Sequence, residues 1–251
     1  MPGWIRKGLY AVAGLAALAA AFQVYSIVPA GFAVRPLAPA PDTRRLVLLF
    51  HGSGGRDEPT LVALEQRLRT LPATGSVPLI VRYDWSYADS PLRTYPNGRR
   101  VGEFLGMQVA KLGSLESLHL IAHSAGAYVL DPLCESYRAR AGQHPGRPAR
   151  IRMTFLDPIG FRGPLDPGWG ARHYGQCADE AEAFINTDDP APATAEVLQH
   201  ARTVDVTDDP ARQRFGRGGH RWPVQYYLDS LAARGSTIGP MPDQDGADSG
   251  E

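Results

Sequence analysis

The chain has 251 residues, 43% of them apolar, which is enough to bury one sizeable core and gives no reason to expect two. Acidic and basic residues balance at 26 each, so no excess positive field exists for a phosphate backbone, and nucleic acid is not an expected partner. With 27 Gly and 22 Pro the composition is that of a loop-rich globular protein, and disorder is expected only at the ends.

Residues 1–34 read as an export signal or a membrane anchor. Arg6 and Lys7 precede an uncharged stretch from Gly8 to Val34 that contains the run LYAVAGLAALAAAF. Ala19-Ala20-Ala21 offers a small-residue cleavage site, whereas Leu9 to Val28 reaches the roughly 20 apolar residues that a membrane span needs. A buried core helix fits less well, because the segment is terminal, lacks an amphipathic stripe and abuts a Pro-rich stretch. The expectation is an uncleaved anchor with an exported domain, so the membrane is an expected partner through this segment. Arg6 and Lys7 on one side face Arg35, Arg44 and Arg45 on the other, which leaves orientation open.

Residues 35–45 are Pro-rich and read as a semi-rigid tether, because proline fixes φ. The folded domain is expected over residues 46–236. It opens on Leu46 to Phe50, a continuous apolar run ending at His51-Gly52, as in a parallel strand covered on both faces. Glu58 to Leu71 reads as a helix and Pro78 to Tyr83 as the next strand, followed by a loop with Asp84 and Trp85. Val101, Phe104, Leu105, Val109 and Leu112 then recur at helical spacing. Leu118 to Ala122 is a third strand, running into a helix from about Ala125, and Arg152 to Leu156 a fourth. Ala181 to Asn186 and Thr203 to Thr207 read as shorter strands, Arg221 to Arg234 as the last helix, and residues 237–251 as a disordered acidic tail. Such alternation builds a mostly parallel sheet with helices on both faces, and ligands bind at the carboxyl ends of its strands. His51, Ser124 and Asp157 all sit at such ends. Cys134 and Cys177, the only cysteines, fit no metal spacing; a disulfide and two partly buried thiols both remain open.

Ala122-His123-Ser124-Ala125-Gly126 has small residues two before and two after a serine, between a strand and a helix. That is the shape of a nucleophile elbow, with Ala in place of the first Gly, and it makes Ser124 the candidate nucleophile. A serine needs a base to take its proton and a carboxylate to fix the base's tautomer. Asp157 and His220 follow in the order this fold uses, His220 lying after the flexible Gly216-Arg217-Gly218-Gly219 and before the last helix. Asp188 and Asp189, after the next strand, compete with Asp157 for the acid role. Backbone N–H groups of Ser53, in the glycine-rich turn after the first strand, and of Ala125 are the candidate oxyanion donors. His51 and His123 are expected to pack and orient backbone rather than react. No metal or organic cofactor is required.

These motifs, in their order, resemble the pancreatic-lipase-like family of lipases and phospholipases A1. His51-Gly52 is similar to its oxyanion segment, Asp84-Trp85-Ser86 to its Asp-Trp loop, and Asn97-Gly98-Arg99-Arg100-Val101-Gly102 to its Asn-x-Arg-x-Val-Gly helix start. Leu156-Asp157-Pro158 follows the serine segment, and His220 with Tyr226-Tyr227-Leu228-Asp229-Ser230 is similar to the family's histidine and its Tyr-Tyr-x-Asp-Ser. The resemblance spans about Leu46 to Ser230 and implies an α/β-hydrolase fold, Asp157 rather than Asp189 as the acid, and an ester or lipid substrate. Three features depart from the family: Ala122 in the elbow, no C-terminal β-sandwich, and Asp208 to Gly219, which is short, polar and Cys-free where the family has an apolar lid between cysteines. Phe161 to Gln176 is the alternative cover. The same triad would also serve an acyltransferase or thioesterase, and a non-catalytic binding protein on this fold is the alternative from another class. Acyl length, head group and oligomeric state are not legible.

Overall fold

The computed structural model describes residues 2–233 except 74, 89, 91, 143–146, 189–190 and 192–193. Asp189, the end of the expected domain beyond 233 and the acidic tail lie outside the described residues. Six strands form one sheet: β1 (Arg45–Phe50), β2 (Leu79–Tyr83), β3 (Ser117–His123), β4 (Arg150–Leu156), β5 (Glu180–Ile185) and β6 (Arg202–Asp205). Their order is β2-β1-β3-β4-β5-β6 and every pairing is parallel, so all carboxyl ends share one edge. The expected strand and helix alternation holds, with ends shifted by at most three residues. The last strand stops at Asp205 because Thr207 turns back to bond the Asp205 carboxylate through N–H and hydroxyl.

Helices cover both faces, which is the α/β-hydrolase arrangement. α2 (Pro59–Thr70) and α6 (Trp222–Ala233) pack on the face that carries Val47, Leu49 and Ile121. On the other face, α3 (Thr94–Val109) and α4 (Ala127–Ala141) cover Leu46, Leu48, Phe50, Leu118 and Leu120, together with the short α5 (Trp169–His173). β1 is buried on both sides because its apolar side chains alternate between these two cores.

α3 and α4 touch backbone to backbone. Gly98, Gly102 and Gly106 recur every fourth residue and form one bare stripe. A Cβ on Gly98 would lie 2.7 Å from that of Tyr128, and Cβ atoms on Gly102 and Gly106 would run into the carbonyl oxygens of Val129 and Leu133. A disulfide between Cys134 and Cys177, with Cα atoms 6.0 Å apart, ties α4 to the segment after α5 and settles the pairing left open by the sequence. Asp131, one turn earlier, accepts the N–H groups of Gly175 and Cys177 at 3.0 and 3.2 Å.

The N-terminal helix α1 (Gly3–Ile27) stands off this body. Trp4–Ile27 is long and apolar enough to cross a membrane, and nearly all of it is exposed. Its last turn alone is packed, with Ser26 buried.

Candidate active site

The carboxyl edge of the sheet gathers the residues singled out in the sequence. β3 ends at His123, and Ser124 follows at φ 54°, a left-handed conformation that costs a non-glycine residue about 1–3 kcal/mol and is kept where the surroundings over-determine it. The surroundings here are two glycines. A Cβ on Gly126 would sit 2.6 Å from the carbonyl oxygen of Phe50, and one on Gly52 would sit 2.8 Å from the Cβ of Ser124. Residues 50–52 therefore press on the serine turn from β1, and only bare backbone fits. Ala122, in the position where the elbow pattern has glycine, is wholly buried in β3 without disturbing its pairing to Phe50 and Phe155. Residues 124–126 form a single 3-10 turn before α4 begins, two residues later than the sequence suggests.

Asp157 follows β4, also left-handed at φ 49°, and is completely buried. A buried carboxylate demands hydrogen bonds. The Asn186 N–H supplies one to Oδ1 at 2.9 Å, and the imidazole of His220 supplies another, Nδ1 lying 2.7 Å from Oδ2. That bond assigns the His220 proton to Nδ1 and leaves Nε2 as the basic nitrogen. His220 is 29% exposed at its side chain. It sits in a 3-10 turn entered through Gly218, whose φ of 88° and ψ of 151° suit only glycine.

Ser124 and His220 are linked through His123. The Nε2–H of His123 donates to the backbone carbonyl of His220 at 2.9 Å, and the two rings lie 4.8 Å apart. Burial, with the neighbouring His220 adding to it, pushes His123 down to about 4, so it remains neutral beside any imidazolium formed at His220. The loop is held from a second side, where the Arg221 guanidinium lies 3.7 Å from Glu58, the carboxylate that caps α2 through Thr60 and Leu61. Ile159 closes the circle, its N–H reaching the Ser124 carbonyl at 3.3 Å.

The glycine-rich turn after β1 is fastened by His51. Its Nδ1 donates to the Gly52 carbonyl at 2.7 Å, its Nε2 accepts the Trp85 N–H at 3.2 Å, and the Trp85 indole donates to the His51 carbonyl at 2.7 Å. The Asp-Trp loop thus braces the turn that touches Ser124. Ser53 is the next residue in that turn and Ala125 the residue after the serine.

Asp188 lies elsewhere, half exposed, accepting from Asn186 at 2.8 Å and paired with Arg212. Phe161 to Gln176 is stitched to the α4 side: the Tyr128 and Tyr174 hydroxyls donate to the carbonyls of Phe161 and Ile159, and Trp169 is buried among Tyr95, Tyr128 and Tyr174. Asp208 to Gly219 contains a 3-10 helix, Pro210–Arg214, and packs Phe215 on Trp222 with ring centroids 5.5 Å apart. Asn186 and the Glu58–Arg221 pair were not singled out in the sequence; the position of Asn186, directly after the strand beside β4, was the available signal. Among the described residues no group of three or more His, Cys, Asp or Glu is placed to hold a metal ion.

The parallel six-stranded sheet with helices on both faces is an α/β-hydrolase fold. No family model matches the chain, and no curated protein does. Among solved structures it is similar to a hyperthermophilic esterase from the archaeon Pyrobaculum calidifontis, at 14% identity over 78% of this chain and 77% of that one, with a TM-score of 0.39. Likeness at that level carries nothing about the site, which rests on its own geometry.

Proposed function

We propose that the protein is a serine hydrolase of carboxylic esters, with Ser124 as nucleophile, His220 as general base and Asp157 as the carboxylate that orients it. The observation that carries this reading is the 2.7 Å contact of His220 Nδ1 with a wholly buried Asp157, beside a serine held in a left-handed turn. In this mechanism the Ser124 oxygen attacks the ester carbonyl carbon as His220 Nε2 takes the hydroxyl proton. The N–H groups of Ser53 and Ala125 receive the oxyanion. His220 returns the proton to the departing alcohol, leaving an acyl-enzyme, and water repeats the cycle to release the acid. Asp157 stays ionised throughout and stabilises the imidazolium. No cofactor enters.

The motif order from His51 to Ser230 supports a lipase or phospholipase-like ester hydrolase, with α1 as an uncleaved anchor and the domain exported. A segment before His220 that is short, polar and built of 3-10 turns favours phospholipids or small esters over triglyceride droplets. The test is turnover of aryl esters of increasing chain length by the full chain, beside Ser124→Ala and His220→Ala. Each variant is expected to lose three orders of magnitude or more, as members of a triad do. Variant rates equal to the parent's would refute the mechanism.

A further inference from the structure

α1 meets the body on the edge that carries Ser124. The Gln23 side chain clamps the segment after β4, donating to the Arg162 carbonyl at 2.9 Å and accepting the Leu165 N–H at 3.1 Å. Tyr25 lies under the Arg93 guanidinium, 3.8 Å away, just before α3. Beyond the helix, the Ala30 N–H donates to Asn97 in the first turn of α3 at 2.8 Å. Both docking sites belong to the sheet's carboxyl edge: α3 follows the end of β2, and residues 159–165 leave Asp157 directly, with Ile159 bonded to the Ser124 carbonyl.

The other end of α1 is free of the body and built for lipid. Trp4 and Tyr25 stand at its two ends, the places of interfacial aromatics, and at 1.5 Å per residue they are about 32 Å apart, against a hydrocarbon core of about 30 Å. At the docked end, two apolar side chains project beside the helix, Leu92 at 51% and Leu165 at 67% exposure. A helix that spans a bilayer and is pinned to one edge of a domain turns that edge to the lipid.

We propose that the last turn of α1 docks the domain with its carboxyl edge against the bilayer, Leu92 and Leu165 dipping into the interface, so that Ser124 takes its ester from the membrane surface. The orientation rests on α1 being an anchor; only the last clause rests on the hydrolase reading above. The test needs no turnover. Both native cysteines are in the disulfide, so Leu92→Cys, Leu165→Cys and Val77→Cys each add one site for an environment-sensitive fluorophore in the full chain, reconstituted in phosphatidylcholine vesicles with or without brominated acyl chains. Val77, 83% exposed and two residues before β2, marks the amino edge. Probes at 92 and 165 are expected to shift to the blue and to lose at least half their emission to brominated lipid, with the probe at 77 unchanged. Quenching at 77 equal to that at 165, no response at any position, or a chain that fails to float with the vesicles would overturn the proposal, whatever the outcome of the ester assays.

Discussion

On one face of the sheet α3 and α4 meet through three glycines and a disulfide ties α4 to the segment after α5, whereas on the other α2 and α6 are joined by ordinary side-chain packing of Leu61, Leu64, Leu68 and Trp222. The candidate triad is divided between them. Ser124 leads straight into α4, and the segment after Asp157 is sewn to α4 by Tyr128 and Tyr174, while His220 hangs on the loop into α6. The division teaches that Ser124 is fixed by backbone contact, which does not give, and His220 by a polar loop, which does. Damage to the first face should therefore remove the fold, and damage to the second should remove activity first.

The largest effect is expected from Gly106→Val, whose side chain would have to occupy the space of the Leu133 carbonyl. Overpacking against backbone is expected to exceed about 4 kcal/mol, among the severest single changes. Loss of the cooperative melting transition would show it, and an unchanged melting temperature would break the comparison. Next comes Cys134→Ser with Cys177→Ser, which opens a cross-link spanning 43 residues. A loop of that length corresponds to about 4 kcal/mol by chain entropy, measured as a lower denaturant midpoint. Gly218→Ala belongs to the other face. No atom beyond the adjoining residues lies within 4 Å of the added Cβ, so the cost is backbone strain alone, about 2 kcal/mol. Ester turnover is expected to fall more than tenfold while the chain still melts cooperatively, because the strain displaces His220.

Acid is expected to separate the two faces most gently. His119 and His123 point to the α2–α6 side, and burial first of all lowers both, His123 to about 4 and His119 well below its ordinary value. The unfolded chain binds those protons near 6.5, so the stability they allow is complete above that pH and falls as pH drops toward 4, by roughly 1 kcal/mol per pH unit per group. Asp131 on α4 behaves oppositely. Burial pushes it up to about 6, so its penalty is present above pH 6 and is relieved as pH falls toward its unfolded value. Melting temperature is expected to fall between pH 7 and 5, less steeply in His119→Gln and more steeply in Asp131→Asn.

The sequence made the sheet legible because parallel strands buried on both faces read as unbroken apolar runs, and Ser124 and Asp157 stood out by ending two of them. The partner of His220 was narrowed by motif order, and the structure places Asp157, not Asp188, against its Nδ1. What stayed illegible depends on distance in the chain. The disulfide joins residues 43 apart, and Gln23 meets Arg162 across 139 residues; neither leaves a periodic trace. The Gly98, Gly102 and Gly106 stripe was readable as spacing, but its meaning required the helix that fills it.

The most direct measurement is the site of reaction with a fluorophosphonate, read by peptide mass spectrometry on the folded full chain. One adduct per molecule on Ser124, absent in Ser124→Ala and formed far more slowly in His220→Ala, is the expected result. An adduct on another residue, or none on a chain that melts cooperatively, would contradict the assignment of Ser124 and His220.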